Sequence, residues 1–180
     1  MIYCFLADGF EELEAIAPID LLRRAGADLV TVGVTGKTVT GSHKITVTAD
    51  VTADEIVLDD VEAIILPGGM PGTLNLENDP VVQKAITFCA ENGRLICAIC
   101  AAPSVLGHRA LLCGKRAVCY PGFEDSLSGA DIPDEYVVRD GSFITAKGAG
   151  VAADFGLEIV EALYGKAERD RIFSSVQCRS

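Results

Sequence analysis

Positive charge is in short supply in this chain. Its 180 residues carry 15 lysines and arginines against 26 aspartates and glutamates, leaving a net charge of −11. Such a surface repels phosphate backbones and anionic lipid, and no basic stripe interrupts it, so neither nucleic acid nor a membrane surface is expected as a partner. Long apolar runs are missing as well, because none approaches the ~18 residues of a spanning helix. The opening Met1-Ile2-Tyr3-Cys4-Phe5-Leu6 is too short for a signal core and runs straight into Asp8, Glu11, Glu12 and Glu14. Histidine is scarce too. His43 and His108 are the only two, which leaves little material for a Cys-His protease or amidohydrolase triad. Repeats and low-complexity segments are absent. The seven cysteines are an odd number without a framework of spacings, a pattern that fits thiols kept reduced in the cytoplasm better than disulfides.

What is present alternates in the manner of an α/β sheet. Apolar runs at Ile2 to Leu6, Leu29 to Val34, Ala63 to Leu66 and Leu95 to Ile99 read as buried strands. Helical spacing follows them over Leu13 to Leu22, stopped by Gly26, over Val81 to Cys89, over Pro103 to Leu112, and finally from about Val151 to Leu163, ending at Gly165. Thr38 to Thr48, rich in Val, Ile and Thr around Thr40-Gly41-Ser42, reads as a hairpin appended to the sheet. Short or antiparallel strands are expected near Ala117-Val118, Tyr136-Val137-Val138 and Phe143-Ile144-Thr145. The length suits one domain over residues 1–180.

Chemistry points to the corner after the fourth buried strand. Leu95-Ile96-Cys97-Ala98-Ile99 breaks off at Cys100, and Ala101-Ala102-Pro103-Ser104 opens a helix with proline in its first turn. A cysteine there projects from the carboxyl end of the sheet above helix N–H groups, which favour thiolate. In an open parallel sheet ligands gather at that end. The loops Asp8-Gly9-Phe10-Glu11-Glu12-Leu13-Glu14 and Pro67-Gly68-Gly69-Met70-Pro71-Gly72 end two other strands. If the strands are neighbours, Gly68 and Gly69 let backbone approach closely, and the N–H groups of Gly69 and Ala101 could hold an oxyanion, worth ~3–4 kcal/mol per donor. Taken alone, Pro-Gly-Gly reads more simply as a tight turn.

Glu14 is the acid to place beside Cys100. Pro18, four residues on, removes the hydrogen bond that the Glu14 carbonyl would accept and should distort the helix there, although Leu13, Ile16 and Ala17 supply an ordinary core face. Two anions at about 4 Å repel by about 4 kcal/mol at an effective dielectric of about 20, close to the ~3.7 kcal/mol needed to protonate an ordinary glutamate at pH 7. The pair should therefore share a proton. Cys97 and Cys100 form a C-x-x-C. With Cys97 inside a strand, the two point to opposite faces about 10 Å apart, beyond disulfide reach. No second C-x-x-C completes a zinc site, and no metal is expected.

Gly9-Phe10-Glu11-Glu12-Leu13-Glu14 with Pro18 and Leu22-Arg23-Arg24-Ala25-Gly26, then Leu66-Pro67-Gly68-Gly69, Ala98-Ile99-Cys100-Ala101-Ala102-Pro103 and Lys147-Gly148-Ala149-Gly150, resemble the ThiJ/PfpI family. Within it they are most similar to the branch of the parkinsonism-associated protein deglycase and its bacterial ThiJ/YajL-like relatives. The five motifs keep their order along nearly the whole chain. The resemblance implies a flavodoxin-like αβα sandwich, usually a homodimer, with Cys100 as nucleophile, Glu14 as its acid partner and Gly69 and Ala101 as backbone donors. It also implies cofactor-free conversion of glyoxals, repair of glycated thiols and amines, and oxidative-stress sensing or holdase behaviour. The departures are local. Tyr120 precedes Pro121 where several members carry histidine before proline, and His43 lies at or near a position where some carry arginine. His108, eight residues past Cys100 on the expected helix, lies about 12 Å along its axis and cannot easily reach the sulfur. Arg24 could orient an anionic substrate from a partner subunit, or be simply a basic helix end.

Overall fold

Residues 1–178 are described by a computed structural model of the chain. The buried runs become strands where expected: β1 (Ile2–Leu6), β2 (Leu29–Gly33), β6 (Ala63–Leu66) and β7 (Leu95–Ile99), with the helices α1 (Glu12–Arg24) and α3 (Pro80–Glu91) following β1 and β6. The hairpin is β3 (Thr38–Thr40) with β4 (Thr46–Thr48), and the two-residue β5 (Val51–Thr52) follows it. The seven-stranded sheet has the order β5-β2-β1-β6-β7-β9-β8, where β8 is Val137–Asp140 and β9 is Phe143–Ala146. All pairs are parallel except β8 with β9.

Strand alternation sorts the core into two layers. Ile2, Cys4, Leu6, Ile65, Cys97 and Ile99 face α1 and the final long helix α5 (Ala152–Tyr164), whereas Tyr3, Phe5, Ile64, Leu66, Ile96 and Ala98 face α3 and α4 (Pro103–Gly107). Each fully buried Leu, Ile or Phe contributes roughly 1.5–3 kcal/mol, and this layering makes the flavodoxin-like three-layer sandwich. Helix α1 meets α5 at very close range. A Cβ on Gly156 of α5 would stand 2.8 Å from Leu21 Cδ1 and 2.9 Å from Pro18 Cα.

Several expectations are corrected. The hairpin is a separate two-stranded sheet, held by Asp8 Oδ1 accepting from Thr40 N at 2.8 Å and by Gly9 N donating to Thr40 O, not a ribbon added to the main sheet. Strand β9 is short and antiparallel to β8, as expected, and in addition pairs in parallel with β7. Ala117-Val118 is not a strand, although Arg116 makes an isolated bridge with Asp131. Helix α4 stops at Gly107 rather than Leu112, because Ala110 adopts φ 55° and the chain turns. Short α2 (Gly72–Asn78) and α6 (Lys166–Ser175) escaped the sequence patterns. Helix α1 runs unbroken through Pro18. Its inward face is also inverted near the start: Leu13 is 61% and Ile16 45% exposed, whereas Glu12 and Glu14 are buried.

Candidate active site

Three loops converge at the carboxyl ends of β1, β6 and β7. The order in which strands are added reverses between the parallel β1 and β6, where β1 leads outward to β2 and β6 leads the other way to β7, and a crevice opens at such a switch point. Glu11 N donates to Gly68 O at 2.9 Å, joining the first loop to the second. Cys100 N donates to Ala146 O at 2.9 Å, and Cys100 O accepts from Tyr120 N at 2.8 Å, fixing the third. Cys100 itself has φ 66°, a left-handed conformation that costs a residue with a Cβ about 1–2 kcal/mol and is kept here by those flanking bonds.

That twist decides where the sulfur goes. Strand alternation ends at Ile99, and Cys100 packs against the α1 and α5 layer, the same layer that receives Cys97. The expectation that the two thiols point to opposite faces is therefore corrected, because it extended strand geometry one residue too far. All seven cysteines are free.

Glu14 reaches this point from the buried stripe of α1 that also carries Pro18 and Leu21, at spacings of four and seven. Its Oε2 accepts from Gly68 N at 3.0 Å, and Ala149 N–H also hydrogen-bonds the carboxyl. The carboxyl and the Cys100 thiol lie close enough to shift each other's acidity, and the N–H groups of Ala101 and Gly69 act on the sulfur to lower its pKa. Gly68 admits this meeting by lacking a side chain: a Cβ there would stand 2.6 Å from Cys100 Cβ and 2.6 Å from Glu14 Oε2.

Burial, followed by the charge and hydrogen bond of Glu14, pushes the Cys100 thiol up to about 12, opposed by the two backbone N–H groups. Burial likewise lifts Glu14 to about 7, opposed by its bonds from Cys100, Gly68 and Ala149 and reinforced by the charge of Glu11. Between those values the pair holds one proton and one negative charge. This corrects the helix-end argument for a thiolate, since α4 has only five residues and desolvation beside a carboxylate outweighs it. Glu14, whose pKa burial raises, is the group to which the sulfur can pass its proton, and the Ala101 and Gly69 N–H groups are the ones that lower the thiol's pKa.

The remaining candidates divide. Tyr120, half-exposed, stands over Gly148, where an added Cβ would lie 3.3 Å from the Tyr120 ring and 3.8 Å from Glu14 Oε1. These residues open onto a cavity of about 420 Å³ that also includes Tyr136 and Lys147. Composition gave no signal for Tyr136 or Lys147, which only the β8–β9 pairing brings there. His43 is bonded elsewhere. Its Nδ1 lies 3.1 Å from Glu12 Oε2 and 3.3 Å from Glu11 Oε2, and the two carboxylates raise its pKa. Burial pushes the Glu12 carboxyl up, but bonds from its own N–H, the His43 ring and the N–H groups of His43 and Ile45 outweigh that and hold it below the usual range. Among the described residues these three are the group whose ligand atoms gather closely enough to hold a metal, within 4.8 Å of one another. His108 pairs with Glu77 on the surface. Arg24 is ten residues beyond Glu14, about 15 Å along α1, and its Nε holds Asp20 at 2.6 Å, so within this chain it is a helix-end residue rather than part of the site.

A parallel αβα sheet whose switch point brings together a strained cysteine and a buried glutamate defines a flavodoxin-like protein organised about a thiol–carboxylate pair. Residues 1–162 match the DJ-1/PfpI family, and the chain belongs to that family. It is 36% identical over 97% of its length to the DJ-1 homolog A of Arabidopsis thaliana, and spans 45% of that protein's length and 37% of homolog B's. It is 31% identical over 87% of its length to a deglycase of Pyrococcus abyssi, covering 95% of that protein. The oxidized DJ-1 of Toxoplasma gondii superposes with a TM-score of 0.94 at 32% identity, covering 98% of this chain and 97% of that one. No helix among the described residues is long and apolar enough to cross a membrane.

Proposed function

We propose that the chain is a cysteine-dependent, cofactor-free enzyme of the deglycase or glyoxalase type. It acts on glyoxals or on glycated thiols and amines, and serves protection against carbonyl and oxidative stress in the cytoplasm. The observation that carries this reading is the close approach of Cys100 to the Glu14 carboxyl across Gly68, with the acid's pKa raised by burial and the Gly69 and Ala101 N–H groups opposing the rise at the thiol. The sulfur attacks the aldehyde carbon of methylglyoxal, the carbonyl electron pair becomes an oxyanion near the Gly69 and Ala101 N–H groups, and Glu14 delivers its proton to that oxygen. Glu14, now a carboxylate, takes the C–H proton of the hemithioacetal to give an enediol and returns it to the neighbouring carbon, while the hydroxyl proton passes to the neighbouring carbonyl oxygen. One carbon is thereby oxidised to a thioester and the other reduced to an alcohol. Water then cleaves the C–S bond, releasing lactate and the thiol.

Incubation with methylglyoxal and assay of lactate tests this reading. Wild type is expected to turn over many times and Cys100→Ser not at all; equal turnover by both removes Cys100 as nucleophile. A second reading, a redox sensor or chaperone-like stress protein that is altered once per sulfur, draws support from the oxidized state of the Toxoplasma relative and from Glu14, which could donate its proton to a sulfinate oxygen. Multiple turnovers separate the two. A hydrolase reading lacks such support, since both histidines are bonded to glutamates away from the sulfur. We further propose a homodimer, for which the exposed Leu13 and Ile16 on α1 offer an apolar surface.

A further inference from the structure

We propose that the cavity between Tyr120, Tyr136 and Lys147 is a subsite for the remote end of the substrate, and that it selects carbonyl compounds bearing a carboxylate on an apolar or aromatic body. This rests on the enzymatic reading above and names its substrate class. At about 420 Å³ the cavity lies within the ~300–1,000 Å³ of sites that hold drug-sized ligands, far more room than a three-carbon glyoxal fills. It adjoins the thiol–carboxylate pair at Gly148, where an added Cβ would lie 3.3 Å from the Tyr120 ring and 3.8 Å from Glu14 Oε1.

Its walls fix the ligand's chemistry. Tyr136 is 67% and Tyr120 50% exposed, two rings left open to solvent on either side of a hollow, which suits an apolar body laid between them. Among the described residues Lys147 is the one cation in the lining. Its backbone N donates to Tyr136 O at 2.9 Å and its Nζ lies 4.9 Å from the Tyr136 ring centre, so the ammonium is held at the cavity wall. Among the described residues the carboxylate paired with it, Asp134 at 3.2 Å, belongs to a fully exposed side chain, and such a pair is weak enough for a ligand carboxylate to displace. Orientation follows from charge. The single negative charge shared by Cys100 and Glu14 lies just beyond the lining residue Gly148, where it repels an anionic tail, and the chain as a whole carries −11. A ligand carboxylate is therefore directed to Lys147 while its carbonyl meets the sulfur.

Two readouts test this. In the first, 4-acetylbenzoate and acetophenone compete with iodoacetamide at Cys100, with alkylation followed by peptide mass spectrometry. Wild type is expected to be protected by the carboxylate at about tenfold lower concentration than by the neutral ketone, Lys147→Met to show no preference, and Lys147→Arg to retain it. Asp134→Asn, at a fully exposed position, should enlarge the preference. In the second, kcat/KM for 4-carboxyphenylglyoxal over phenylglyoxal should fall to near unity in Lys147→Met, chiefly through KM. Equal protection by the two ketones in wild type, or a preference that survives in Lys147→Met, overturns the subsite. Absence of methylglyoxal turnover together with Lys147-dependent protection overturns the enzymatic reading and leaves the subsite standing.

Discussion

Cys97 and Cys100 are three residues apart, lie against the same core layer and are both pushed to weaker acidity by burial, yet the two environments differ in kind. Cys97 is fully buried within β7, and its charged neighbours, Arg139 and Glu158 among them, act only at a distance. Cys100 has left the strand at a positive φ, is part-exposed, and finds an acceptor for its proton and two N–H donors for the resulting charge. Burial alone makes an inert packing thiol. Burial together with a local proton acceptor and preformed dipoles makes a thiol that can ionise without exporting its proton to water.

Alkylation is the sharpest way to break that contrast. Cys97 can react only after the core opens, at a cost of about 5 kcal/mol or more, so iodoacetamide should label Cys100 at least ~10³-fold faster. Similar rates would erase the distinction. Glu14→Gln should remove the next largest effect. Because the fold raises the Glu14 pKa from 4.5 to about 7, its contribution to stability is complete below about pH 4.5 and is lost as pH rises through 7. Wild type should therefore lose about 3 kcal/mol across that window. Glu14→Gln should lack this slope in urea titrations at a series of pH values. Its Cys100 alkylation midpoint should also fall from about 12, because the Glu14 charge and hydrogen bond no longer raise it, yet stay above the ordinary thiol value of 9.0, since burial persists; an unmoved midpoint would dissolve the shared-proton account. Gly68→Ala forces a methyl between the two side chains and should cost about 1–3 kcal/mol along with most of the lactate formation. Normal turnover in that variant would show that the close approach is dispensable. The smallest change belongs to Arg24→Ala, whose exposed pair with Asp20 is worth about 0.3–0.5 kcal/mol. A loss of turnover greater than tenfold would instead place Arg24 of a second copy over the site.

Much of this was readable in the residues, for identifiable reasons. Continuous apolar runs and their glycine stops fixed β1, β2, β6, β7 and the long helices, since these depend on local pattern. Cys100 and Glu14 were legible because a strand end and an unusual proline marked them. The exposure of Leu13 and Ile16 was not, because the helix spends its inward face on carboxylates, against the usual sorting of apolar and polar residues. Nor was the parallel β9, since Phe143 to Ala146 follows a tight turn from β8 and reads as half a hairpin until β7 is placed beside it. Tyr136 and Lys147 were hidden for the same reason. Their meaning arises only from the pairing that carries them to Glu14.

The missing side chain at Gly156 has a reach beyond its own helix. Because it lets α1 settle directly on α5 at Pro18, one turn from Glu14, a single methyl added there would act as a shim, lifting the acid from its thiol without altering any group in the crevice. Acidity at the sulfur is thus adjustable from a residue 56 places further along the chain, and screens for impaired variants should register that distant glycine alongside the reacting groups.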